Sequence, residues 1–189
     1  MNFLGHCLFS SPTPDAIAGS LWPDFAKRPT SDAFSHSFYT HFDRHQLIDR
    51  ITDTHPLLEP VRANLRPVFR KTTPIIIDMI LDHHLAKHWS NYHPDTLEVF
   101  ADKSYQKLQQ FVLNGAPERF ERTVFWMSKH NWFVSYRTQQ GMFQALEGMS
   151  RRIRFNNPII DNRQVALDAT DKYREVLNAF INHLNQEIA

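Results

Sequence analysis

The stretch Thr73-Pro74-Ile75-Ile76-Ile77-Asp78-Met79-Ile80-Leu81-Asp82-His83-His84-Leu85 is almost wholly apolar, yet it carries two aspartates four residues apart. Thr72-Thr73-Pro74 supplies a capping residue and a proline at the first helical position, so the pattern predicts a helix reaching about Trp89. A rotation of about 100° per residue puts Leu85, Trp89, Ile75 and Leu81 within about 60° of Asp78. Asp82 lies about 40° away, one turn on, inside the same apolar stripe. Ile76, Met79 and Ile80 fill the opposite side. A helix that is apolar nearly all round is expected at the centre of a bundle.

A second segment repeats the device. The spacing predicts a helix from about Phe34 to Thr54, with Phe38, Phe42 and Ile48 within about 60° of His45. Asp49 follows His45 by one turn, while Asp43, Arg44, Leu47 and Arg50 fall on other faces. A carboxylate buried without a partner is costly, so it pairs, takes up a proton or binds a metal. Like charges one turn apart add to the conflict. Two readings follow. Either each residue is satisfied singly by a core partner, or His45, Asp49, Asp78 and Asp82 converge on a divalent cation. Imidazole and carboxylate donors without sulfur suit manganese, magnesium, iron or zinc. His41 and Asp53 flank the first pair as supporting groups or as ordinary helix-end residues.

The rest of the chain reads as helical too. A short apolar start (Phe3, Leu4, Leu8, Phe9) stops at Ser10-Ser11-Pro12. Thr13-Pro14 opens a helix that Pro23 interrupts, and a loop with Pro29 and Ser31 follows. Further helices are predicted over Leu57 to Leu65, from Pro94-Asp95 to Asn114-Gly115, from Pro117 through Phe133, over Gln139 to Arg152, and from Pro158 to the C-terminus. No segment alternates with period two, so no sheet is expected. Hydrophobic residues make up 42% and 15 are Phe, which suits a folded core. The formal net charge of +1 predicts no partner by bulk electrostatics. Basic stripes with interleaved aromatics are absent, which argues against nucleic acid. No apolar run approaches the ~20 residues of a membrane span. Cys7 stands alone, so neither an internal disulfide nor a multi-cysteine zinc site is available. With no signal-peptide pattern at the start, a cytoplasmic location is expected.

Five blocks together carry a family pattern: Asn2-Phe3-Leu4-Gly5-His6; Gly19-Ser20-Leu21-Trp22-Pro23-Asp24-Phe25; His45-Gln46-Leu47-Ile48-Asp49-Arg50-Ile51-Thr52-Asp53; the Pro74–Leu85 stretch with His88-Trp89; and Gly148-Met149-Ser150-Arg151-Arg152. Their order and spacing resemble the acyl carrier protein phosphodiesterases from Met1 to about Arg152. The resemblance implies a single all-α domain, distantly similar to HD-type phosphohydrolases. It implies hydrolysis of the phosphodiester joining 4′-phosphopantetheine to a serine of holo-acyl carrier protein, with a divalent metal that is usually manganese. It also brings Asp24 and His6 to the site, where local reading alone makes Asp24 an exposed turn residue and His6 a core histidine. Gln46-Leu47 stands where a basic pair is expected, and the Met149–Arg154 segment keeps only its two arginines.

On this reading His45, Asp49, Asp78 and Asp82 hold the metal, with Asp24 beside it as ligand or base. The leaving serine oxygen needs a proton, from His83 or from His6. Acyl carrier proteins are acidic, so a basic docking face is expected: Arg62, Arg66 and Arg70 at i, i+4, i+8, or Arg151 and Arg152, either of which also suits a phosphate. The rivals are an HD-like hydrolase of a nucleotide or other small phosphoester, and a helical interaction protein whose buried charges only pair with one another.

Overall fold

The structure, a computed structural model, describes residues 1–30, 33–112 and 116–188. Among these residues there are eleven α-helices and no strand, as the patterning predicts. The helices are α1 (Phe3–Leu8), α2 (Pro14–Leu21), α3 (His36–Thr54), α4 (Glu59–Phe69), α5 (Thr73–Lys87), α6 (Leu97–Val112), α7 (Glu118–Lys129), α8 (Trp132–Ser135), α9 (Gln139–Arg152), α10 (Arg163–Lys172) and α11 (Arg174–Glu187). A 3-10 turn at Trp22–Asp24 continues α2. Ser31, Asn114 and Gly115 of the expected loops lie outside the described residues.

The all-round apolar helix is the central one. α5 packs against α1, α4, α9, α10 and α11, and every residue from Met79 to Ala86 is buried. Around it the bundle is cemented by aromatics: Trp22, Phe38, Phe111 and Phe120 join α3, α6 and α7 through ring contacts of 5.2–6.1 Å. Such rings bury large apolar areas and add edge-to-face attraction.

Caps set several helix starts. The Thr13 hydroxyl accepts the Ala16 N–H, and the Ser35 hydroxyl accepts that of Phe38. α2 lies closely on α3, because Gly19 has no Cβ: one built there would stand 2.2 Å from the Phe38 carbonyl oxygen. This contact delivers the end of α2 to the middle of α3, which matters for the site.

Two predicted helices are each two. The aromatic segment from Pro117 breaks where Asn131 takes φ 45°, a left-handed conformation that asparagine tolerates, before α8 begins. The C-terminal segment breaks at Tyr173 between α10 and α11. No side-chain periodicity marks either break. No helix among the described residues is long and apolar enough to cross a membrane.

Candidate active site

The two aspartates of α5 part company. Asp82 is fully buried. Its carboxylate accepts the backbone N–H groups of Asn2 (3.2 Å), Leu4 (2.8 Å) and Gly5 (3.1 Å), and so caps the N-terminus of α1. Burial pushes its carboxyl up to about 7, against the pull of the α-amino group and of the Leu4 and Gly5 N–H groups. The expectation that Asp82 is a metal ligand is therefore corrected: its oxygens serve the fold, holding α1 and hence His6 in place. Asp78, one turn earlier, keeps its side chain 30% exposed.

α1 and α3 bring His6 and His45 face to face. Their rings stack at 3.8 Å, 12° from parallel. His45 Nδ1 donates to the Ser20 carbonyl at 2.6 Å, the contact that the close approach at Gly19 makes possible. Nε2 lies 3.0 Å from Asp49 Oδ2 and donates to it when protonated; loss of that proton frees the Nε2 lone pair for a ligand. His6 Nε2 lies 3.2 Å from Asp49 Oδ1, yet neither ring nitrogen of this buried residue has an aligned hydrogen-bond partner.

The charges are strongly coupled. Burial works against charge on both histidines. It dominates at His6, whose pKa falls to about 3 with His45 adding to the shift. At His45 the Asp49 carboxylate outweighs it, and the pKa is raised. Burial alone would raise Asp49, but His45, His6 and the α-amino group hold it well below the usual carboxylate range. The Met1 α-amino group stands 2.8 Å from Asp78 and 3.3 Å from Asp49. Burial opposes its charge, yet these carboxylates raise it to about 11.

This donor set fits a divalent cation. His6, His45 and Asp49 offer ligand atoms that all lie within 4.8 Å of one another. Two orphaned nitrogens, a tautomer fixed by a backbone carbonyl, and a carboxylate pair that already gathers a cation make the arrangement polar in the sense a metal would satisfy. Asp49 also lines a cavity of about 260 Å³, together with Asp24, Asp78, Arg119 and Arg152 and with Asn2, Phe3, Phe25 and Met149. Asp24 sits at the rim on the Trp22–Asp24 turn, exposed. Its surroundings still desolvate the carboxyl and raise its pKa; His45 opposes the shift, and Asp49 and Asp78 add to it.

The acyl carrier protein phosphodiesterase family model matches residues 1–186. The chain belongs to this family. It is 28% identical over 153 residues to an acyl carrier protein phosphodiesterase of Pectobacterium atrosepticum, covering 80% of this chain and 79% of that one. The corresponding protein of Escherichia coli K12 is 29% identical over the same shares, and that of Photorhabdus laumondii 28% identical, covering 80% and 77%. No solved structure matches the chain, so kinship with HD-type phosphohydrolases rests on the sequence resemblance alone.

Other residues that the phosphodiesterase resemblance or the charge pattern singled out lie elsewhere. His83 faces away from the carboxylates: its Nδ1 donates to the Tyr136 carbonyl at 2.6 Å, and its electrostatic neighbours are Lys87, His88 and Asp171. Its expected part as the acid for the leaving group is corrected accordingly. Arg62 is buried, not part of a docking face. Its guanidinium donates to Glu59, to the Thr52 carbonyl and to the His55 carbonyl, closing the C-terminus of α3. Arg66 and Arg70 remain exposed on α4 and beyond its end, but neither lines the carboxylate cavity. Arg151 is exposed and paired to Glu147 at 2.6 Å; Arg152 reaches the cavity. His41 anchors a loop, accepting the Ser11 N–H at 3.0 Å, and Asp53 is exposed. Sequence reading missed Arg119. It sits in the first turn of α7 among aromatics, where one more exposed arginine gives no signal.

Proposed function

We propose that this chain hydrolyses the phosphodiester between 4′-phosphopantetheine and a serine of holo-acyl carrier protein, releasing apo-carrier and 4′-phosphopantetheine. The observation that supports this most is a single small cavity lined by three aspartates and two arginines, one of the aspartates, Asp49, lying against a buried imidazole pair. A phosphodiester anion needs cationic hydrogen-bond donors, and a water nucleophile needs a base.

Arg119 and Arg152 receive the non-bridging phosphate oxygens. Asp78 takes the proton of the attacking water as its oxygen bonds to phosphorus. The bond from phosphorus to the serine oxygen breaks, and the Asp24 carboxyl, raised by its surroundings and open to solvent, returns a proton to that oxygen. His6, His45 and Asp49 are the residues that would hold a divalent ion, manganese foremost; when bound it supplies Lewis-acid charge and a lowered water pKa. Asp49 orients the His45 imidazole, Ser20 fixes its tautomer, and the His6 ring stacks on it. Asp24 also borders a wide surface hollow lined by Lys27 and by an Arg28 paired to Asp43, an open face on which a protein substrate can rest. A chain of this kind works in the cytoplasm, where carrier proteins are made.

Mass spectrometry of holo-acyl carrier protein after incubation with the protein and Mn²⁺ tests the proposal. The expected product lacks 4′-phosphopantetheine. An unchanged carrier mass with every divalent metal tried, alongside turnover of a nucleotide, would transfer the chain to the small-phosphoester hydrolases.

A further inference from the structure

A second cavity of about 540 Å³ adjoins the carboxylate cavity and shares four of its walls: Asn2, Phe3, Met149 and Arg152. From this junction it runs between α7, α8 and α9. Trp126 and Trp132 give it apolar walls, Gln144 and Ser135 polar ones. Trp126 on its wall is 41% exposed. The mechanism above uses none of these groups beyond Arg152.

We propose that this groove seats the pantetheine arm of the substrate, which gives the enzyme its preference for a long amide-bearing phosphoester over a bare phosphate. The inference rests on the phosphodiesterase reading. A phosphodiester has two substituents, and the 260 Å³ cavity is below the usual range for a whole organic ligand. One substituent, the serine, belongs to a protein and needs an open face; the hollow beside Asp24, Lys27 and Arg28 offers one. The other is a flexible chain that alternates apolar carbon with amide groups. A groove lined by two tryptophans together with amide and hydroxyl side chains, and joined to the phosphate cavity at Arg152, has the matching chemistry.

Gly148 makes the groove testable. It lines the wall from within α9, and a Cβ built there meets nothing within 4 Å. A larger side chain therefore projects into the groove rather than into the core, and a mid-helix glycine gains helix propensity on replacement. Titration calorimetry of wild type and Gly148→Leu with free 4′-phosphopantetheine and with inorganic phosphate reads the arm directly, without turnover. In the wild type, 4′-phosphopantetheine is expected to bind at least about tenfold more tightly than phosphate. Gly148→Leu is expected to abolish that advantage, leave phosphate affinity unchanged and keep the wild-type melting temperature. Its KM for holo-acyl carrier protein rises by about tenfold. Equal affinity of the wild type for the two ligands overturns the groove even if holo-carrier is cleaved. So does a Gly148→Leu protein that retains the full advantage. A clear arm advantage without any cleavage of holo-carrier leaves the groove standing and removes the phosphodiesterase reading instead.

Discussion

Two groups of buried histidines meet α5, and burial does not tell them apart: His6 and His84 are each only 1% exposed. Near α1, His6 and His45 stack beside Asp49, which itself lines a cavity with Asp24, Asp78, Arg119 and Arg152. Toward α11, His84 Nε2 meets the Tyr92 hydroxyl at 2.9 Å, and that hydroxyl donates to Asn178 at 2.8 Å. The second group has a neutral partner on Nε2, while Nδ1 has none, as with the His6 nitrogens; no carboxylate joins it in a ligand set among the described residues. What separates the two groups is thus the charge of the partners and an opening beside Asp49, not burial or an unmatched nitrogen.

The largest test of that contrast is activity. Asp49→Ala and His45→Ala should each lower kcat/KM for holo-carrier by on the order of 10³-fold or more, and the double variant should lose little further, because residues acting as one unit fail together. His84→Gln should stay within about threefold of wild type. Metal-titrated melts give a second readout: Mn²⁺ should raise the Tm of wild type and of His84→Gln, but not of Asp49→Ala. A His84→Gln protein that loses the Mn²⁺ response would erase the distinction.

The aspartates of α5 repeat the contrast inside one helix turn. Asp82→Ala strands three buried N–H groups of the α1 terminus and should destabilise the fold by roughly 3–5 kcal/mol with or without metal. Asp78→Ala leaves Asp49 to face the α-amino group, so it should cost less stability than Asp82→Ala and show its main effect as lowered turnover. Equal destabilisation by both, measured by urea unfolding, would contradict the division of labour.

The fold was far more legible than this division. The all-round apolar pattern put α5 at the centre, and the i, i+4 pairs placed His45, Asp49 and Asp78 on inward-turned faces, because periodicity reports which face a residue occupies. It does not report what the face meets. Asp82 and Asp78 share a stripe, but only tertiary contact gives Asp82 the α1 N–H groups. Arg62 looked like one member of an exposed arginine row; the end of α3, ten residues away, turned it into a cap. Asp24 and His6 came from the family blocks alone, since a turn aspartate and a lone core histidine have no periodic signature. Arg119 had neither signal.

A smaller effect separates the groups by pH. Burial lowers the His84 pKa from 6.5 to about 4, with His88 and His83 adding to it. Between those values the unfolded chain binds a proton that the folded chain refuses, so stability rises with pH across that window and is lost as pH falls from about 6.5 toward about 4. Above pH 6.5 His84 is neutral in both states and contributes no slope. Thermal melts of the metal-free protein from pH 4 to 7 should show His84→Gln with the shallower dependence, by about one proton. An unchanged slope would mean that His84 opens to water readily and is not the sealed group described here.

The smallest effect concerns two arginines one turn apart on α4. Arg62 is enclosed and donates to two carbonyls at the end of α3, at 3.1 and 2.6 Å, and to Glu59. Arg66 is exposed. Removing a charged donor from buried carbonyls costs their hydrogen bonds, so Arg62→Ala should lower stability by about 1–3 kcal/mol, whereas Arg66→Ala should change it by no more than about 0.5 kcal/mol. Neither side chain lines the carboxylate cavity, so neither should alter kcat. KM for the carrier separates what remains. Arg62 cannot reach an acidic partner while it closes α3, and its loss should leave KM unchanged at temperatures well below the melt. Arg66→Glu can act only through long-range attraction, which added salt screens. If Arg66→Glu and Arg70→Glu together raise KM severalfold at low salt, the carrier lies across α4 as well as the Lys27 and Arg28 edge. If Arg62→Ala alone raises KM at full stability, its guanidinium leaves α3 to meet the partner, and the rule drawn from Asp82 and His84 fails at this residue.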